Sequence, residues 1–100
     1  MIRNLFDVPI PETGELFETL LENGNVHIEL IVSSDTPDER LYNQPHDEAV
    51  LLIEGRASLE MGGTLIELKS GDFTLIPADT PHRVVKTTKG CRWLAIHIRK

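Results

Sequence analysis

Along most of this chain apolar and polar side chains alternate with a period of two. Over residues 26–33, Val26, Ile28, Leu30 and Val32 fall on one side and His27 and Glu29 on the other, which predicts an extended strand. Residues 49–53 form a near-continuous apolar run and predict a strand buried on both faces, with Gly55 behind it as a bulge or close backbone approach. Strands over 57–61 and 64–68 flank Gly62-Gly63, a hairpin signal. A turn at Ser70-Gly71-Asp72 leads to a strand over 73–76, and two prolines, Pro77 and Pro81, predict a rigid bend. Strands over 82–87 and 92–99 predict a last hairpin around Lys89-Gly90.

One stretch departs from that period. Leu16, Phe17, Leu20 and Leu21 fall at i, i+1, i+4 and i+5, which predicts a short helix over residues 15–22, stopped by Asn23-Gly24 and capping one end of the fold. Ahead of it, Pro9 and Pro11 mark residues 1–13 as an arm that resists regular pairing. The whole predicts an all-β single domain of 100 residues. Residues 1–25 are the arm and short helix, and residues 26–99 a sandwich or barrel of seven or eight short strands.

Composition narrows the function classes. Ten Lys and Arg against sixteen Asp and Glu, net −6, do not supply the basic surface that nucleic acid requires. No apolar run approaches the roughly 20 residues of a membrane helix, and the N-terminus lacks the pattern of a secretory signal. The single Cys91 excludes an internal disulfide and fits a cytoplasmic protein; it reads as a small buried apolar side chain. Apolar strands facing both ways leave more apolar surface than so small a barrel buries alone. A homodimer, sheet against sheet, is therefore expected, with residues 1–12 free to cross to the partner.

The chemistry concentrates between Leu41 and His82. Tyr42, Gln44, His46 and Glu48 sit at even spacing, which on an extended backbone turns them to one side. His82 returns a second imidazole just after the double-proline bend. Imidazole nitrogens with carboxylate and amide oxygens are the donors a divalent metal takes.

These residues resemble the two motifs of the cupin superfamily, G(x)5HxH(x)3,4E(x)6G and G(x)5PxG(x)2H(x)3N. Six residues separate Glu48 from Gly55, five separate Gly71 from Pro77, and His82 lies five beyond Pro77. Asp79 replaces the second motif's middle glycine, Lys86 its asparagine, and Tyr42-Asn43-Gln44 stands where the first motif has HxH. The resemblance covers roughly residues 40–98 and implies a jelly-roll barrel with a bound divalent ion, Fe, Mn, Ni or Zn. It carries the ligand role directly to Glu48 and His82. Gln44 takes the place of the second histidine, and His46, by parity and as the stronger donor, can join them.

Blander readings stand beside these. His46 can be a loop residue beside Asp47, Gln44 can hydrogen-bond across the cavity, and Glu48 can pair with Arg83 or Arg56. Asp47 and Asp72 read as turn residues and His27 as a structural histidine. Tyr42 and His97 are candidate catalytic residues, but alternation in the last strand leaves His97 free to face either the interior or solvent. The resemblance implies a metal-dependent enzyme of dioxygenase, isomerase or lyase type acting on a small organic molecule. The alternative is a non-catalytic cupin that captures a small molecule or metal.

Overall fold

The computed structural model describes residues 2–100; Met1, the first residue of the expected arm, lies outside the described residues. After a single 3-10 turn at Leu5–Asp7 come eight strands: β1 (Glu15–Asn23), β2 (Val26–Ser33), β3 (Asp47–Glu54), β4 (Arg56–Met61), β5 (Thr64–Lys69), β6 (Phe73–Ile76), β7 (His82–Thr87) and β8 (Cys91–Ile98). They form a five-stranded sheet, β1-β2-β8-β3-β6, and a three-stranded sheet, β5-β4-β7. Every pairing is antiparallel. No helix among the described residues is long and apolar enough to cross a membrane.

The expected helix over 15–22 is a strand. β1 pairs with β2 along its whole length, and the register slips between Thr19 and Leu21. That bulge explains the misleading spacing: it resets the alternation midway, so a two-faced strand mimics a helical stripe. Asn23-Gly24 does not stop a helix either. Gly24, at φ +56°, and Asn25 form the two-residue turn of the β1–β2 hairpin. The expected last hairpin around Lys89-Gly90 is also absent, because β7 pairs with β4 while β8 pairs with β2 and β3. The segment is a crossover between sheets.

The five-stranded sheet has an apolar layer on each face. Its inner face carries Val50, Leu52 and Trp93, which meet Ala57, Leu59 and Leu68 of the smaller sheet in the main core. On its outer face the N-terminal arm lays Val8 over Leu30 and Val32, and Arg92 reaches the arm to donate to the Leu5 carbonyl at 2.8 Å. The arm thus packs on its own barrel. Gly55 is a required glycine. Its φ is +100°, and a Cβ there would lie 2.7 Å from Thr88 Oγ1 and 3.1 Å from Cys91 Cα. The close approach joins β3 to β4 at the corner where the crossover arrives.

Candidate functional site

Three backbone hydrogen bonds hold the halves of the site together. Tyr42 and His82 each donate an amide to the other's carbonyl, at 2.8 and 2.9 Å, and the Asp79 amide donates to the Gln44 carbonyl at 2.7 Å. Residues 42–44 therefore run beside the bend after β6. Asp79 adopts φ +60°, the left-handed conformation a glycine takes without strain, and Asp tolerates it better than most residues. The departure at residue 79 leaves the bend's backbone intact. Asp47 secures the same bend by accepting the Ala78 amide at 2.8 Å, and Asp72 accepts the Lys69 amide at 2.8 Å in the preceding turn.

Between the sheets lies a cavity of about 290 Å³. One end is polar, with Tyr42, Gln44, Glu48, His82, His97 and Glu29; the walls are apolar and aromatic, with Phe17, Ile31, Val84 and Trp93 among them. Glu48 stands at the polar centre and is 7% exposed. It accepts the Gln44 amide N–H at 2.6 Å, with His82 Nε2 at 3.7 Å and His97 Nδ1 at 4.0 Å from the same oxygen. Arg83 is committed elsewhere, to Glu60. His82 Nδ1 donates to the Thr80 carbonyl at 3.0 Å, which leaves Nε2 as the lone pair facing Glu48.

His46 does not line this cavity. The chain bends at Pro45 and His46, so the even spacing loses its parity before β3 begins. Instead His46 Nε2 meets His97 Nδ1 at 2.9 Å, and His97 Nε2 meets Glu29 at 3.1 Å. The Glu29 hydrogen bond raises the pKa of His97 against the opposing cost of burial, with help from the nearby Glu48 charge. Burial and the neighbouring His97 lower that of His46. The higher proton affinity of the pair therefore lies on His97; its Nε2–H donates to Glu29, and a single proton joins its Nδ1 to His46 Nε2. His27 bonds Glu22 at 2.5 Å and acts structurally.

Of the expected site residues, the fold brings Tyr42, Gln44, Glu48, His82 and His97 to one cavity and leaves His46 behind His97. Glu15, Glu29 and Ser33 were not foreseen. Glu15 was assigned to a helix; it lines the cavity from β1 and accepts Ser33 Oγ at 2.6 Å, while Ser33 accepts Trp93 Nε1–H at 3.0 Å. Burial raises the pKa of Glu15 and, at the rim, that of Tyr42. For β2 the available signal was its polar side, where His27, Glu29 and Ser33 occupy three of the four positions that alternate with Val26, Ile28, Leu30 and Val32.

The donor set suits a divalent ion in type. Glu48 is a buried carboxylate, His82 presents a lone pair whose opposite ring nitrogen is fixed on a carbonyl, as ligating histidines are, and no Lys or Arg lines the cavity. A half-turn of the Gln44 amide offers an oxygen in place of its N–H. Among the described residues, no three His, Cys, Asp or Glu side chains surround a common point. The neutral Gln44 is then the third donor closest at hand.

The model of the cupin domain matches residues 29–97, and the chain belongs to the cupin family. Over 70 residues it is 34% identical to quercetin 2,3-dioxygenase of Bacillus subtilis (strain 168); the match spans 70% of this chain but 18% of that protein. A presumed mannose-6-phosphate isomerase from Ralstonia eutropha JMP134 has the same fold with 34% identity and a TM-score of 0.87, covering 100% of this chain and 99% of its own. An RmlC-like cupin from Shewanella frigidimarina NCIMB 400 shares the fold alone, at 16% identity and a TM-score of 0.79 over 87% of this chain and 78% of its own.

Proposed function

We propose that this cupin is a metal-dependent enzyme acting on a compact organic molecule without a phosphate. Glu48 and His82 would hold the ion, with Gln44 as third donor. When bound, such an ion acts as a Lewis acid toward a substrate oxygen or O₂. Support comes chiefly from one observation: a buried carboxylate and a pre-oriented imidazole, 3.7 Å apart, face the polar end of the cavity.

The remaining residues favour particular substrates. Phe17, Trp93 and the aliphatic walls would bind an apolar or aromatic body, and Tyr42 would close the rim with a phenol that keeps its proton. His97, oriented by Glu29, would give or take a proton at Nδ1. Glu15, Glu29 and Glu48 line the cavity without a Lys or Arg, so a phosphate dianion would find three carboxyl groups and no permanently charged cation.

Metal content of untagged protein, read by mass spectrometry after dialysis against Fe, Mn, Ni or Zn, tests the proposal. Near-stoichiometric metal that is lost in Glu48→Ala and His82→Ala is expected; wild-type protein that retains none overturns it. Oxygen uptake and product analysis with flavonols and smaller phenols then test turnover. The hydrogen bonds within the cluster favour a second reading, a binding module without turnover, because Gln44–Glu48 and His46–His97–Glu29 satisfy one another unaided. Ligand-induced stabilisation of the protein without turnover would select that reading.

A further inference from the structure

The cavity wall on the five-stranded sheet has two polar ends with an apolar band between them. Strand register sets Glu48 beside His97 at one end. At the other it sets Glu15 beside Ser33, which pairs in turn with Cys91. Cys91 and His97 stand six residues apart on β8, about 20 Å along an extended strand. Phe17, Ile31 and Trp93 form one paired row between these ends, while Glu29 joins the first end through its bond to His97. Glu15 is thus a separate pole of the same cavity, and it takes no part in holding an ion at Glu48 and His82.

Glu15 is held in place from the wall behind it. Trp93 Nε1–H donates to Ser33 Oγ at 3.0 Å, and Ser33 Oγ–H donates to Glu15 Oε2 at 2.6 Å. The charge acting on it comes from another carboxylate, Asp38. The cation at the rim, Arg40, is seated over the Tyr42 ring, 5.4 Å from its centroid, and does not line the cavity. A half-buried carboxylate with no cation against it is costly. Beside it, Phe17 lines the cavity yet remains 49% exposed, so a phenyl face is left uncovered. A fixed carboxylate next to an open aromatic face suits a protonated amine, which the first holds by a charge-assisted hydrogen bond and the second by cation–π attraction. A hydroxyl would satisfy the hydrogen bond but leave the charge uncompensated.

We infer that the cavity takes a ligand with a protonated amine at the Glu15 end and an aromatic or apolar body between Phe17 and Trp93. Its far end carries an oxygen toward Glu48 and His82. That oxygen end rests on the proposed ion site; the amine end stands on Glu15 and its neighbours alone.

Trp93 is the only tryptophan in the chain, so its fluorescence reports binding within the cavity. Metal-free and metal-loaded wild type are each titrated into the millimolar range with 2-phenylethylamine, 2-phenylethanol and 3-phenylpropionate. The amine should bind roughly tenfold more tightly than the alcohol, and the carboxylate most weakly. Glu15→Gln keeps the length and an acceptor for Ser33, so it should abolish the amine's advantage and leave the alcohol unchanged. An amine that binds no tighter than the alcohol, or no binding of any of the three, overturns the inference. So does a Glu15→Gln variant that weakens amine and alcohol equally, the result expected if Glu15 serves only to position Ser33 and Trp93. Should the variant unfold, nuclear Overhauser contacts in the wild type decide: the methylene beside the nitrogen must lie against Glu15 and the ring against Phe17 and Trp93, and a bound amine without them overturns the inference. Metal content of the same samples keeps the two ideas apart. Amine preference in protein that retains no metal defeats the ion site alone, and retained metal without amine preference defeats the amine end alone.

Discussion

Replacing Glu29 by Gln asks whether the fold holds charge on His97. The Glu29 carboxylate takes the His97 Nε2–H at 3.1 Å, and the two side chains are only 16% and 11% exposed. A hydrogen bond to a charged group contributes about 1.5–3 kcal/mol and a neutral one about 1 kcal/mol. Glutamine keeps the length and an acceptor oxygen, so the substitution removes the difference, about 1–2 kcal/mol. In a chain of this size each kcal/mol moves Tm by about 4–8 °C, so a drop of roughly 5–15 °C is expected where His97 is protonated. Glu29 raises the folded pKa of His97 above its unfolded value. The stabilisation is therefore fully present below the unfolded value of about 6.5 and is lost as pH rises through the folded value. His46 has the opposite sign: its lowered folded pKa contributes stability that is lost as pH falls through that value. Both proteins carry it, so to first order it cancels in the comparison. Thermal unfolding of wild type and Glu29→Gln at about pH 6 and about pH 9 reads the effect, with the histidine ring protons followed by NMR. A Tm gap that is the same at both pH values, or wider at the higher one, would refute the assignment of the proton to His97.

Gly55→Ala should cost roughly 3 kcal/mol in urea unfolding, since its Cβ adds a collision with Thr88 and Cys91 to the strain of φ +100°. Gly63→Ala, at φ +83° in open space, should cost only about 1–2 kcal/mol; equal costs would rule out the collision. Cys91 is fully buried, and burial pushes its thiol up to about 12. A thiol reagent near neutral pH should find no reactive group in native protein and one after denaturation; prompt native labelling would contradict its placement. Leu52→Ala, at a site with no exposed surface in the main core, should lower stability by about 2–5 kcal/mol with an unchanged denaturant slope.

Strands whose boundaries depend on local punctuation were legible in the chain itself. β2, β6 and β7 fall where alternation and flanking turns put them, and Gly62-Gly63 forms its hairpin. The motif spacings that end at Gly55, Pro77 and His82 located two of the site's central groups, Glu48 and His82, because those residues are set by a local bend and a strand start. Pairing decisions were not legible. The 15–22 segment carries a helix-like spacing, and only β2, offering an open edge of backbone donors and acceptors, makes it a strand. His46 follows the parity of an extended chain in sequence, yet the bend at Pro45 turns it behind His97. His97 itself had two acceptable faces until β2 and β3 closed on either side of β8 and placed Glu29 and Glu48 against it. A linear pattern encodes which side chains share a face; which face turns inward is decided by contacts between strands far apart in the chain, and those exist only once the barrel has closed.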